Sequence, residues 1–575
     1  MNDVPQTSTL QGMNRPAIDP VTLSVLWGRL LSVAEEMGST LRRTAFSEAV
    51  REGDDFSTGL FDRHGRLVAQ GNFTPGHTGA MPYVVMTVLE YFPPKTLFPG
   101  DSIFVNDSRI GSGHFPDCFM VTPAFDDGRI IGFAVNTAHH VDVGGPHPGS
   151  QEVRGVTDAV QEGLRIEPIR LIREGEFEPD LLRMFLGNVR FPDKVRGDLQ
   201  AQRNANHVGG RRLAGLYREY GTDLIESVIE EILERSETRM RDRIRDLPDG
   251  TYVFEDFMDD YGPGSDPIRF HVEVTIKGDD MLLDFSGSSD QVPAGINSYI
   301  NYTRSYSTFA AKVMSEALVP QNHGSAKPLQ ATAREGSYFN PVYPAPSGGR
   351  SANPQRIFEV VVGALAPIVP EKAMAAFSHF SNPNVGGVDD RTGDNFIYYD
   401  LIFGGLGGQF NKDGVEGLSP VMNCTNIPTE ILEARNPIRI HHIGFIADSA
   451  GAGRFRGGCG VRKDFELLNS SASLCMLGDR HVHQPYGLFG GKPGRLAETI
   501  LNPDDGAIAL GSKETRMIKK GDVVSWRLCG AGGYGDPNKR DPAKIEEDLA
   551  DGFITEEGAR QDYGYVRPTG ATGDD

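Results

Sequence analysis

The stretch Gly113-His114-Phe115-Pro116-Asp117-Cys118 enters the apolar run Phe119 to Phe125 and meets Asp126-Asp127-Gly128. It returns through Arg129 to Ala138 into His139-His140-Val141-Asp142-Val143-Gly144-Gly145. Asp-Gly between two apolar, β-rich runs is the signature of a hairpin. Folding about that turn sets Asp117 opposite residue 137, 138 or 139, according to the loop length, and leaves His114 facing the His139-His140 pair. Two imidazoles and a carboxylate gathered in this way make a site for a divalent ion such as Zn, Mn or Fe. The competing reading has these side chains hydrogen-bonding local backbone, as polar turn residues commonly do. That reading suits each residue alone but not the set, because one strand pairing brings all three together. His140 and Asp142 follow closely enough to orient a ligand from behind, and His140 also qualifies as a general base.

The flanking segments add further candidates. Asp54-Asp55-Phe56-Ser57 opens a hairpin over 55–70 with Phe61 to Gly65 as its turn, and one of the two carboxylates either completes the ion's coordination or caps the turn. Gly144-Gly145-Pro146-His147-Pro148-Gly149-Ser150 is a rigid loop that either offers amide N–H groups to an oxyanion or simply connects. Gln161-Glu162-Gly163 carries a carboxylate, Glu162, suited to acid–base work if it is not merely solvated.

Farther out, Asp19-Pro20 is an N-cap followed by a first-turn proline, and Leu23, Leu26, Leu30, Val33, Met37 and Leu41 make one apolar face. Residues 179–247 read as helix, most clearly Thr222 to Leu247. Phe270, Val272, Val274 and Ile276 alternate as a half-buried strand. Residues 298–318 and 355–365 are expected helices, separated by a Pro/Gly-rich loop over 339–350. Helices mixed with antiparallel-looking strands predict an α+β fold of several domains. The expected divisions are a flexible arm over 1–18, an α+β region with the candidate ion site over 19–175, and a helical region over 176–250. A second α+β region follows over 251–437, then a Gly-rich, β-rich module over 438–540 and a tail over 541–575.

Composition narrows the function class. A formal net charge of −21 over 575 residues opposes nucleic acid and anionic membrane as partners. No apolar run approaches the roughly 18 residues of a membrane span, and the first 19 residues lack the apolar core of a secretion signal. The five cysteines are scattered with no C-x-x-C, which suits a reducing compartment. A cytoplasmic protein with a small-molecule substrate is expected. The glycine clusters at 404–408 and 530–535 lack the Lys-Ser/Thr ending of a P-loop and the βαβ setting of a dinucleotide site. They read as turns, so any ATP chemistry belongs to a partner.

Taken in order, these segments resemble the hydantoinase B/oxoprolinase family from about Asp19 to Pro537. The resemblance rests on Asp55-Phe56-Ser57 with Leu60-Phe61-Asp62, on Gly65 to Gln70, on Gly79-Ala80-Met81-Pro82, and on Asn106-Asp107. It continues through Gly113-His114, Pro116-Asp117, Ala138 to Gly145, Pro148-Gly149-Ser150 and Gln161 to Leu164. Asp284-Phe285-Ser286-Gly287, Arg456-Gly457-Gly458, Asp479-Arg480 and Gly532 to Pro537 complete it. The resemblance implies an ion-bearing subunit of a hetero-oligomer whose hydantoinase A-type ATPase subunit activates a lactam, hydantoin or ketone. It implies His114, Asp117 and His139 as ligands, with Asp55 as a fourth. The expected reaction is opening of a cyclic amide, with His140 or Glu162 moving protons. Two other readings stand beside it: a subunit of an ATP-dependent ketone carboxylase, and a non-catalytic scaffold. Ser108-Arg109-Ile110 and Asn72 depart from the family pattern beside the site, so the resemblance does not name the substrate.

Overall fold

The computed structural model describes residues 18–567; the expected arm up to residue 17 and the tail beyond 567 lie outside them. Seven strands form the sheet that carries the candidate site. They are β1 (Phe56–Asp62), β2 (Leu67–Gln70), β3 (Ser102–Val105), β4 (Asp117–Asp126), β5 (Arg129–His139), β6 (Ile169–Arg173) and β7 (Glu176–Phe177). Their order across the sheet is β2-β1-β5-β4-β3-β6-β7, and every neighbouring pair is antiparallel.

The β4–β5 hairpin turns through Asp127 (φ 45°) and Gly128 (φ 74°), both in the left-handed region that a two-residue hairpin turn of the favoured twist demands. Pairing starts as Asp126 with Arg129 and Phe125 with Ile130, then jumps to Ala124 with Gly132, so Ile131 is an extra residue in a bulge. Without the bulge, Asp117 would oppose Ala138. With it, Asp117 pairs with His139, and both side chains fall on one face. Since successive residues alternate between faces, a one-residue slip would have separated them.

Both faces of this sheet are covered. On one, α1 (Pro20–Thr44) packs with the later helices α5 (Pro192–Tyr220) and α6 (Thr222–Arg245), burying Leu26, Met37, Ala205 and Ile232 against Phe56, Leu60, Ala134 and Ala138. Between these helices in sequence come α2 (Glu48–Arg51), α3 (Pro75–Tyr91) and α4 (Pro179–Leu186). The other face receives α3, whose Met81, Val84, Val85 and Val88 bury against Phe61, Phe119, Val121, Phe133 and Val135. The sequence pattern does not show α3, because Gly76, Gly79 and Pro82 read as breakers. Tertiary packing explains the glycines. A Cβ on Gly76 would lie 2.4 Å from the Tyr306 ring, and one on Gly79 2.7 Å from Ser305. Only hydrogen at these positions lets α3 approach the helix Ile300–Glu316 so closely.

Beyond this unit the described residues build three more sheets. Gly250–Met258, Ile268–Lys277, Asp280–Asp284 and Leu329–Thr332 form one, packed by the helices Ile300–Glu316 and Pro354–Leu365. A third joins Asn384–Val388 and Asn395–Tyr399 to Ser471–Cys475 and Thr515–Lys519, so it draws strands from both sides of the expected boundary at 437. Ile438–Phe445, Val461–Leu467, Glu498–Leu501, Ile508–Leu510 and Val523–Arg527 make the fourth. Buried Arg356 ties the second sheet to the C-terminal half, reaching Asp256 at 2.9 Å and Asp479 at 2.7 Å. The segment read as a tail carries two helices, Pro542–Ala550 and Glu556–Tyr563; Ile545, Ala559 and Tyr563 pack with Ala452 and Ile554 there. The fold is α+β. No helix among the described residues is long and apolar enough to cross a membrane.

Candidate metal centre

Three neighbouring chain segments bring one row of side chains to the α3 face of the sheet. Asp117 begins β4 and His139 ends β5. Asp55 precedes β1, where its carbonyl accepts from the His139 N–H at 3.0 Å. Of the two carboxylates left open by the sequence, Asp54 turns away, with φ 55° and an ion pair to Arg42 at 2.5 Å, while Asp55 is 6% exposed. His114 reaches the row from the loop between β3 and β4 rather than from a strand. The ligand atoms of His114, Asp117 and His139 all lie within 4.8 Å of one another, and all three residues are buried.

Hydrogen bonds fix how these groups face the shared point. His114 Nδ1 is 2.9 Å from the Gly348 carbonyl. A carbonyl only accepts, so Nδ1 carries the proton and Nε2 presents a lone pair. That lone pair stands 2.8 Å from Asp117 Oδ1, two acceptors beside each other that the Arg350 guanidinium bridges, its Nη2 2.9 Å from His114 Nε2 and bonded to Asp117 as well. His139 Nδ1 lies 3.0 Å from the same oxygen, and its Nε2 lies 2.9 Å from Gln151 Nε2. Gln151 Oε1 is buried without a partner. A half-turn of that amide gives Oε1 a donor, the His139 Nε2–H, and leaves Nδ1 as a lone pair aimed at the common point. The donor set of two imidazoles and a carboxylate therefore fits a divalent ion, with the carbonyl and amide behind the imidazoles setting their tautomers.

Asp55 stands just outside the trio, its Oδ2 3.9 Å from His139 Nδ1 and accepting from the Tyr399 hydroxyl at 3.2 Å. Four residues absent from the sequence candidates complete the surroundings. His77, in the first turn of α3, places Nε2 3.1 Å from Asp117 Oδ2 and 3.8 Å from Asp55 Oδ1. Arg350 and Ser112 both bond Asp117 Oδ2, and the Tyr399 ring stacks on His139 at 5.4 Å. The Thr74-Pro75 pair, an N-cap type followed by proline, is the available signal for His77. A lone arginine ending a Pro/Gly-rich loop gives none.

Electrostatics follow from burial and Arg350. Burial opposes ionisation of Asp117, yet the Arg350 guanidinium with His114 and His77 outweighs it and holds the carboxyl well below the usual range. Burial, then Arg350, pushes His114 down to about 4, so it is neutral at physiological pH, as a ligand must be.

The structure does not bring the other sequence candidates into the trio. His140 follows His139 and so points to the opposite face, where Nε2 lies 3.0 Å from Gln202 Oε1 and burial lowers its pKa. Asp142 is spent on Arg190, at 2.7 Å, and on the Gly144 N–H. In the loop after it, Ser150 Oγ accepts from the Val143 N–H and donates to the Gly144 carbonyl, the bonding of a tight connector. Glu162 acts at one remove: its Oε1 accepts from the Ser347 and Gly348 N–H groups, and the Gly348 carbonyl in turn accepts from His114. Burial pushes Glu162 up to about 8 against the pull of those two donors.

The chain is 30% identical over 569 residues to the beta subunit of the caprolactamase of Pseudomonas jessenii, covering 96% of each. It is 32% identical over 568 residues to a Pseudomonas protein provisionally named as the B component of a D-/L-hydantoinase, covering 96% of this chain and 95% of that one. The crystal structure of the ATP-dependent caprolactamase from Pseudomonas jessenii superposes with a TM-score of 0.88 at 29% identity, over 96% of this chain and 97% of that one. A nucleotide-free acetone carboxylase shares the fold, with a TM-score of 0.87 at 20% identity, over 97% of this chain and 81% of that one. The family model for hydantoinase B/oxoprolinase matches residues 19–537, and the chain belongs to that family.

Proposed function

We propose that this chain is the metal-bearing subunit of an ATP-dependent cyclic-amide hydrolase, opening a lactam or hydantoin activated by a hydantoinase A-type ATPase subunit. The observation that carries the reading is the convergence of His114 Nε2, Asp117 and His139 on one buried point. The names of its relatives, the beta subunit of a caprolactamase and the B component of a hydantoinase, support both the reaction class and the partner. A hetero-oligomer at work in the cytoplasm accords with five free cysteines, all buried.

His114, Asp117 and His139 would hold the ion, with Asp55 as the fourth ligand. A divalent ion here, Zn, Mn or Fe, supplies Lewis acidity toward a carbonyl and toward water. Asp117 would provide the charge that draws the ion, and Asp55, which accepts from the Tyr399 hydroxyl at 3.2 Å, would complete the set. The proton-carrying role falls to His77, which touches Asp117 through Nε2 and whose buried Nδ1 has no partner. Glu162 positions His114 through the Ser347–Gly348 peptide and does not meet the substrate. Burial of the whole cluster excludes bulk water, which suits an activated imidate that would otherwise hydrolyse unproductively.

Co-purification with the ATPase subunit, followed by elemental analysis, tests this reading. One equivalent of ion that is lost with activity in His114→Ala is the expected result. An empty site with full activity in that variant would leave the scaffold reading. Label from bicarbonate found in the product would move the chain to the ketone-carboxylase reading.

A further inference from the structure

Arg350 is the buried cation whose partners the ion would take. It sits in the short 3-10 turn Arg350–Ala352 and is 4% exposed. Its Nη1 donates to the Tyr302 hydroxyl at 2.7 Å, and the guanidinium carbon stands 4.1 Å over that ring. Nη2 donates to Asp117 and, at 2.9 Å, to His114 Nε2. Nε is buried and has no partner. The two acceptors that satisfy Nη2 are thus two of the groups assigned above to the ion.

When His114 Nε2 is given over to a divalent ion that Asp117 also holds through Oδ1, Arg350 loses the His114 acceptor, keeps only Asp117 Oδ2 and faces a second cation. The two carboxylates, Asp55 and Asp117, balance a divalent charge, and ligating imidazoles are neutral. The guanidinium is then a surplus positive charge in a buried site, which is costly unless an anion joins it. Tyr302 holds it from behind by Nη1, so the donors left open along its edge are Nε and the Nη2 N–H that His114 gives up. That edge is a two-donor fork matched to the oxygens of a phosphoryl or carboxylate group.

We propose that Arg350 forms an oxyanion subsite beside the ion, its Nε and Nη2 binding an anionic group of the substrate, in the first instance a phosphoryl. The inference rests on the function proposed above and specifies its substrate class: a small molecule that reaches the centre carrying an oxyanion, as an O-phosphorylated lactam does. In the ion-free chain one of these donors is occupied by His114 Nε2, so ion and anion bind in concert.

The test uses the full-length chain loaded with Mn or Zn, ion content measured by elemental analysis, and inorganic phosphate or acetate titrated calorimetrically. Phosphate should bind the loaded wild type and not the ion-free chain. Arg350→Met, at full ion content, should weaken phosphate by at least about tenfold. Arg350→Lys should recover part of the loss, and Tyr302→Phe should show a smaller loss with ion content unchanged. These two variants keep the test open if Arg350→Met fails to fold. Acetate binding more tightly than phosphate through the same residue would assign a carboxylate as the group bound. Phosphate bound equally by loaded wild type and Arg350→Met, or neither anion bound by loaded wild type, would overturn the subsite alone. A wild-type chain that takes up no ion would overturn the metal reading and the subsite together.

Discussion

Gln151 offers the sharpest test of how His139 is used. If His139 ligates through Nδ1, its Nε2 carries a proton and needs an acceptor, which the Gln151 amide, its Nε2 2.9 Å away, supplies once turned to present Oε1. Gln151→Met keeps the side-chain volume, so packing changes little, but the buried N–H loses its acceptor. An unsatisfied buried donor costs about 1–3 kcal/mol, which converts to roughly 5- to 150-fold in affinity. That brackets the range of about 10- to 100-fold known for residues that orient metal ligands from behind. The ion's dissociation constant, measured by competition with a chromogenic chelator, should rise by that factor in Gln151→Met. In Gln151→Glu, whose carboxylate accepts from the same N–H, it should stay level or fall. Equal affinity in wild type and Gln151→Met would show that His139 Nε2 needs no acceptor, and His139 would leave the ligand set.

Other expectations follow from the same geometry. Asp117→Asn should abolish ion uptake and destabilise the ion-free chain by about 3–5 kcal/mol in urea melts, because Arg350 is left buried without its counter-charge. The adjacent histidines should behave oppositely: His139→Ala loses the ion by elemental analysis, whereas His140→Ala, on the far face, retains it. Glu162 binds a proton more tightly folded, at about 8, than at its ordinary 4.5. Its contribution to stability is complete below about 4.5 and is lost as pH rises through about 8. Relative to Glu162→Gln, the wild type should therefore lose stability across that window, and parallel stability–pH curves would contradict this. Arg356→Met should cost about 3–5 kcal/mol by removing the closer of the two cations on buried Asp479 and leaving it Lys513 at 3.5 Å, read as a lowered denaturation midpoint with ion content intact.

How much of this was legible in the sequence depended on how local the signal was. The Asp127-Gly128 turn and its apolar flanks are a short-range pattern, and they point to the hairpin at once. The α1 stripe and the Thr222–Arg245 helix were equally readable, because the 3.6-residue period is written along each segment. Helix α3 was hidden, since its glycines serve a helix distant in sequence, and a window of neighbours sees them only as breakers. Arg350 and Gln151 were out of reach for a related reason: each touches the row from a loop, and nothing in their own segments records the contact. His114 fell between these cases, its residue type informative and its route into the site not.

The hairpin shows why even a strong local signal left the site open. Turn chemistry alone leaves Asp117 opposite residue 137, 138 or 139, and the two-residue turn that forms would, unbulged, set it opposite Ala138 and send the carboxylate and the His139 imidazole to opposite faces. One unpaired residue, Ile131, changes that pairing. Ile131 is buried at 5% exposure with Ala124, Leu213 and Tyr217 on the α1–α5 face, so the core holds the bulge in place. Packing on the side of the sheet away from the ligands therefore selects the register that assembles them. The sequence carries both halves of this arrangement, but their coupling runs through contacts between β5 and α5, which are more than 70 residues apart at Leu213 and Ala138. Variation in the α5 residues that clamp Ile131 would thus be felt at the ion before it was felt in the strands.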